Sequence, residues 1–184
     1  MITAIKINDL TKNYKDVTAV DRLNLEIYEG ELFSLLGING AGKTTTIKML
    51  ATLVKPTSGD AKVFDYSILK DEERIKEIID ISMQETAIAR KLTVEENIEF
   101  YGKLSGLDKL ELNETKKVIY ETFGFDKIAK KQASKLSGGW QRKLSIALAL
   151  ISKPKILFLD EPTLGLDVIA RRELWETINE LKGK

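Results

Sequence analysis

Residues 37–46 read GINGAGKTTT: three glycines, a lysine and three threonines, set between the apolar run ELFSLLG (31–37) and the segment TTTIKMLATLV (44–54). Gly37, Gly42, Lys43 and Thr44 fill the pattern G-x-x-x-x-G-K-[ST], and Gly40 adds a further glycine. Glycine tolerates backbone conformations that would clash with a Cβ, so successive amides can turn inward on an anion. A helix that starts at the end of such a loop adds its own free amides and the positive end of its dipole. The apolar run predicts a strand buried on both faces, as strands of a parallel sheet are, and TTTIKMLATLV predicts a helix. Strand, glycine loop and helix together predict a phosphate cradle of Gly37, Asn39, Gly40, Ala41, Gly42, Lys43, Thr44 and Thr45. Lys43 would reach the terminal phosphates of a nucleoside triphosphate, and the Thr44 hydroxyl would ligate a Mg²⁺ between them. The other reading of the stretch is a glycine-rich turn with an incidental lysine.

Outward from the loop, residues 2–28 alternate apolar and polar side chains at Ile5 and Ile7, then at Leu23, Leu25 and Ile27, which predicts half-buried antiparallel strands before a turn at YEGE. The chain has 184 residues, the size of one ordinary domain. Its 29 basic and 28 acidic residues leave a formal charge of +1, so no strong field for nucleic acid follows and no direct nucleic-acid partner is expected. With no cysteine, disulfides and thiolate metal sites are excluded, and there is no histidine. The N-terminus meets polar residues too soon for a signal peptide, and no apolar run approaches the roughly 18 residues of a membrane span, so a chain soluble by itself is expected.

Beyond the loop, DAKVF (60–64) predicts one more strand, DEERIKEIIDI (71–81) a helix, and residues 92–136 a mainly helical segment. Thr93 and Glu96 form the sequence signature of a capping box, with Gly106 as a stop, and Gly124 closes the helix that starts near Glu111. Val94, Ile98, Tyr101 and Leu104 make a modest apolar stripe, read as core packing or as cover for a partner. Ser137, Gly138 and Gly139 stand at the front of an apolar helix and make a second candidate anion site; a plain helix cap is the other reading. KILFLDE (155–161) predicts a buried strand that ends in two carboxylates. Downstream of a phosphate loop, Asp160 is the candidate ligand for Mg²⁺ and Glu161 the candidate acceptor of a proton from attacking water.

GINGAGKT, LSGG (136–139), ILFLDE (156–161) and PTLGLD (162–167) occur in the order of the Walker A, signature and Walker B motifs, and with them the chain resembles the nucleotide-binding domain of ATP-binding cassette (ABC) transporters over nearly its whole length. The resemblance implies an α/β fold: a P-loop NTPase (RecA-like) core with a mainly parallel sheet, an N-terminal antiparallel β subdomain and an inserted α-helical subdomain. It implies a single ATPase domain over residues 1–184, with residues 1–84 and 137–184 as core and 85–136 as helical subdomain. It further implies ATP and Mg²⁺ as ligands, Tyr14 stacked on adenine, Gln84 linking Mg²⁺ and water to a membrane partner, and Asp167 in the loop between protomers. Each of these three residues has a plainer reading, respectively a packed hairpin aromatic, a surface amide and the N-cap of the next helix.

LTVEENIEFYGKLSGL and LSGGWQRKLSIALALI are most similar to the exporters of drugs, antibiotics and lipids. The family resemblance as a whole implies a head-to-tail dimer with a second cassette, a transmembrane permease subunit or domain, and a place on the cytoplasmic, inner face of the membrane. Trp140 stands where the family usually has glutamine, and Val168 where proline often follows Asp167. The helix VIARRELWETINELKG (168–183) leaves Ile169, Leu174, Trp175, Ile178 and Leu181 needing cover, with Gly183 as its C-cap. A helix after a parallel strand normally returns the chain to another strand. None follows, nor the family's switch histidine, so a chain incomplete at its C-terminus and poor in hydrolysis is expected. Two rivals stand beside transport. A soluble ABC ATPase of DNA repair, chromosomes or translation would carry a coiled-coil insertion, zinc modules or a second cassette, and a docking module that does not hydrolyse would have lost Asp160 or Glu161.

Overall fold

In the computed structural model, which describes residues 1–181, the chain divides into two compact units, Met1–Asp80 and Ile81–Lys184. The first is built on a sheet in the order β2-β1-β3-β4, formed by β1 (Thr3–Tyr14), β2 (Val17–Tyr28), β3 (Ser58–Val63) and β4 (Tyr66–Ser67), every neighbour antiparallel. The alternation predicted for residues 2–28 is observed: Ile5 faces Ile27 and Ile7 faces Leu25, with Ile5 and Ile7 buried and Lys6 between them exposed. A register slip of one residue would turn that whole row to water, which is what fixes the pairing. Helix α1 (Lys43–Leu50) packs on β2 and buries Thr46, Ile47, Met49 and Leu50.

Three expectations are corrected in this part of the chain. The run ELFSLLG forms no strand: residues 31–38 have no ladder partner among the described residues, and Leu36 is 91% exposed. Apolar composition expresses a preference, but a strand exists only where a neighbour takes up its amides and carbonyls. DEERIKEIIDI is helical only in α2 (Glu72–Lys76), after which Ile79–Ser82 is strand β5. Three isoleucines within residues 78–81, stiff at χ1, favour the extended chain there. Helix α1 also stops short of the predicted Val54, since Ala51 caps it and Thr52 takes a φ of +60°.

The second unit holds α3 (Val94–Leu104), α4 (Lys109–Phe123), a 3-10 turn at Ala133–Lys135, α5 (Gly138–Ala149), β6 (Ile156–Leu159) and α6 (Val168–Leu181). Strand β6 is hydrogen-bonded to β5, and the two are joined through three helices, the kind of crossover a parallel pair requires. The Thr93–Glu96 capping box is complete, with the Thr93 hydroxyl accepting from the Glu96 amide and the Glu96 carboxylate accepting from the Thr93 amide. A second box, Asp108 with Glu111, starts α4, and Gly124 at φ +71° ends it. The core is one cluster drawn from the four helices and the chain between them, with Val94, Ile98, Phe125, Leu144, Ile146 and Leu174 all buried to within 1%.

In the predicted apolar stripe, Val94 and Ile98 are buried, Tyr101 is half-buried and Leu104 is exposed. The α6 expectation is likewise corrected in part. Leu174 and Ile178 are buried in the unit's own core and Leu181 packs against it, while Ile169 and Trp175 stay exposed. Gly183, expected as the cap of this helix, lies outside the described residues. Among the described residues no helix is long and apolar enough to cross a membrane.

Candidate functional site

In the first unit the glycine loop is shaped by its own backbone. Gly40 and Gly42 take φ of +85° and +82°, a region that costs a residue with a Cβ about 1–2 kcal/mol. At Gly42 the need is double, because a Cβ there would lie 2.2 Å from the Ala19 carbonyl oxygen of β2. Gly42 is the N-cap of α1 and has no side-chain oxygen to offer, and no acidic residue occupies the first turn. The positive end of the α1 dipole at this start favours an anion. The Lys43 ammonium donates to the carbonyl oxygens of Gly37 (2.8 Å) and Ile38 (3.0 Å), folding over the loop that it would share with a phosphate. The Ala41 amide donates back to Ile38 at 3.1 Å, so Asn39 and Gly40 form the tip of a tight turn. Thr44 and Thr45 follow in the first turn of α1. Tyr14, 44% exposed, closes the β1–β2 hairpin opposite Val17, with the Lys12 ammonium 5.1 Å from its ring centre. An exposed, cation-flanked ring of this kind suits stacking on a planar base.

In the second unit the signature and the carboxylate strand meet through α5. Ser137 is the N-cap of α5, its hydroxyl accepting from the Trp140 amide at 3.5 Å. Gly138 and Gly139 serve close approach: a Cβ on Gly139 would lie 3.0 Å from the Ala170 Cβ, and one on Gly138 would touch Leu166. The front of the signature helix thus abuts the start of α6. Asp167 caps α6 with its carboxylate, which accepts from the Ala170 amide at 2.9 Å, so the cap reading of this residue is realised. Trp140, the departure from the family pattern, packs on the core cluster with its ring 6.1 Å from that of Phe125.

Strand β6 delivers Asp160, 2% exposed, and its amide donates to the Ser82 carbonyl at the end of β5. Glu161 follows at φ +45°, a left-handed conformation in a residue that is not glycine. Gln84 lies two residues past β5. One residue that sequence reasoning missed ties these segments together. The Arg142 guanidinium of α5, 4% exposed, donates through Nε to the Pro162 carbonyl (3.0 Å), through Nη2 to that of Asp160 (2.9 Å), and through Nη1 to Met83 and, at 3.4 Å, to Gln84. Burial pulls the Arg142 guanidinium below the ordinary arginine range, and the Asp160 charge opposes that pull. Its signal in the sequence was periodicity: Arg142 shares a helical face with Ser145, Ile146 and Ala149, all buried, where a charged residue needs a reason.

Each unit carries oxygen donors of the hard kind that Mg²⁺ prefers: the Thr44 hydroxyl in the first, and the Gln84 amide and the Asp160 carboxylate in the second. Among the described residues no group of three or more His, Cys, Asp or Glu gathers to hold a metal ion by itself.

The family described as ABC transporter matches residues 20–164. The chain is 41% identical to "Phospholipid-transporting ATPase ABCA3" of Homo sapiens over 99% of its own length and 11% of that protein's. It is 38% identical to "Probable multidrug ABC transporter ATP-binding protein YbhF" of Escherichia coli (strain K12) over 99% of its length and 32% of that protein's. The chain thus spans a tenth to a third of the curated relatives it matches. Among solved structures, cbiO1 from Clostridium perfringens, part of the ABC transporter complex cbiONQ, is similar with a TM-score of 0.90 and 28% identity, over 99% of this chain and 74% of that one. A post-hydrolysis dimer of the ATP-binding cassette MJ0796 bound to ADP and Pi is similar with a TM-score of 0.82 and 26% identity, over 97% of this chain and 83% of that one.

Proposed function

Because the chain belongs to the ABC transporter family, we propose that it binds and hydrolyses ATP to drive an unidentified substrate across a membrane, in the direction of export. It works as one half of a head-to-tail pair of cassettes, held at the inner face of the membrane by a transmembrane permease subunit or domain. The observation that carries the reading is the loop of residues 37–44, with two glycines at positive φ, an uncapped helix start and Lys43 folded over its carbonyls.

In this mechanism the loop amides and the amides of the first turn of α1 hold the β- and γ-phosphates, and Lys43 leaves the Gly37 and Ile38 carbonyls to take up charge on the γ-phosphoryl. Thr44, Gln84 and Asp160 are the residues that would hold Mg²⁺, which would neutralise phosphate charge. Glu161 accepts the proton of the water that attacks the γ-phosphorus, and the bond to the bridging oxygen breaks to give ADP and phosphate. Tyr14 stacks on the adenine. Ser137, Gly138, Gly139 and Asp167 face the nucleotide of the partner cassette, so ATP closes the pair and hydrolysis reopens it.

Titration with a fluorescent ATP analogue tests the reading directly. Binding is expected to saturate and to depend on Mg²⁺, and Lys43→Ala is expected to weaken it about 10- to 100-fold through loss of a charge-assisted hydrogen bond. Equal affinity of parent and variant would remove the loop from the nucleotide site.

A further inference from the structure

We propose that Arg142 is a positioning residue for the hydrolytic step: its guanidinium clamps the backbone on both sides of Glu161 and ties it to the backbone of Met83 and Gln84, so that base and glutamine move as one body with the signature helix. The inference rests on the ATPase reading of Glu161 and Gln84 given above.

Glu161 holds a φ of +45°, and such a conformation in a non-glycine residue persists only where the surroundings over-determine it. The surroundings here are the carbonyls of Asp160 and Pro162, one on either side of Glu161, both accepting from the same guanidinium. Rotation of the Glu161 backbone out of the left-handed region would swing one or both of them off Arg142. The third nitrogen takes Met83 and Gln84, 58 or 59 residues away in the chain. All four acceptors are main-chain oxygens, so what is fixed is the course of the backbone, and with it the direction in which the side chains of Gln84, Asp160 and Glu161 leave it. A planar fork spreads five donors over three nitrogens and so reaches carbonyls that lie apart from one another, whereas the three donors of lysine all radiate from one atom. The anchor sits one turn beyond Ser137, Gly138 and Gly139 on α5, which gives the signature a rigid link to the carboxylates. The buried contact between the Ser82 and Ser145 hydroxyls, at 3.2 Å, joins β5 to the same helix and keeps the register of the clamp.

Arg142→Lys, Arg142→Gln and Glu161→Gln, with the double variants, decide the matter in the whole purified chain. Hydrogen exchange without nucleotide is expected to quicken about 10-fold at the amides of residues 83–85 and of Glu161, Thr163 and Leu164 in Arg142→Lys, while the amides of α3 and α4 keep the parental rate. Single-turnover hydrolysis is expected to fall about 100-fold with nucleotide affinity held within about threefold, and Arg142→Lys placed on Glu161→Gln is expected to cost nothing further, because the arginine acts through the glutamate. Parental exchange in the two segments overturns the proposal. So does exchange that quickens evenly through α3 and α4, a parental turnover rate, or losses that multiply in the double variant, each of which marks Arg142 as at most part of the core. Failure of the ATPase reading has its own signature, a parent chain that binds no magnesium nucleotide, and the exchange comparison then still decides the clamp.

Discussion

The helix starts at Gly42 and at Ser137 both present glycines, but they are held by different means. At Gly42 the restraint is short in range and conformational: two positive φ angles, a lysine bonded to carbonyls five and six residues back, and a β2 carbonyl against the glycine face. At Ser137 the restraint is long in range and made of side chains: Trp140 against Phe125, Lys143 paired with Glu173 of α6, and Arg142 on carbonyls 18 to 59 residues distant. Glycine has one meaning in each place. At residues 40 and 42 it supplies backbone freedom, and at residue 139 it supplies room, because Ala170 occupies the space a side chain would need. A phosphate loop can therefore be built almost alone, while the signature and the carboxylates are only as well placed as the core beneath them.

The largest effect expected is in the second region. Glu161→Gln should lower phosphate release about 10²- to 10⁴-fold, the usual contribution of general base catalysis, and leave nucleotide affinity unchanged in the same titration. A variant that hydrolyses at the parental rate would end the role of Glu161 and with it the reason for so elaborate a hold on residues 160–162. Next come the loop glycines, which divide the conformational term from the steric one. Gly42→Ala meets both a φ of +82° and a carbonyl at 2.2 Å, and should cost about 3 kcal/mol in urea unfolding, whereas Gly40→Ala meets open space and should cost about 1 kcal/mol. Equal costs at the two positions would mean that contact with Ala19 does not shape the loop.

That division also explains which parts of the molecule could be read from the chain alone. The Thr93–Glu96 capping box, the stops at Gly106 and Gly124 and the alternation in residues 2–28 are written within a few residues of where they act, and each is found where it was expected. ELFSLLG was misread because its fate depends on a ladder neighbour that no local pattern names. IIDI was misread because the helical period of the residues before it hid a four-residue strand whose partner, β6, lies more than seventy residues on. Asp160 and Glu161 were legible as two carboxylates at the end of a strand, but Arg142, which is bonded to the backbone around them, was not, since its acceptors are main-chain oxygens that leave no mark in a sequence.

Trp140 sharpens the long-range side of the comparison. Its ring fills the gap between α5 and Phe125, and the Lys143 ammonium lies 4.9 Å from its centre. Trp140→Ala should cost about 2 kcal/mol, less than truncation of a fully buried aromatic because the ring is only half-buried, and Trp140→Gln, the residue usual in the family, should recover little of it. A denaturation midpoint equal to the parent's would show that the front of the signature helix stands without the core.

The smallest effect belongs to the shortest restraint. Thr93→Ala removes the hydroxyl that accepts from the Glu96 amide and donates to the Glu96 carboxylate, and should cost about 1 kcal/mol at neutral pH by urea unfolding. The pH dependence separates this loss from simple packing. The Glu96 carboxyl lies below the usual glutamate range, first because it accepts from the Thr93 amide and then because it accepts from the Thr93 hydroxyl. A carboxyl lowered in the folded state stabilises it above the unfolded value, and the contribution is lost as pH falls through the folded value. The variant keeps the amide and lacks the hydroxyl, so its carboxyl is lowered less and it has less to lose on acidification. The stability gap between parent and variant should therefore narrow steadily below the usual glutamate range. A gap that stays constant down to pH values below both would take the hydroxyl-to-carboxylate bond out of the account of α3 and leave Thr93 only its acceptance from the Glu96 amide and its packing.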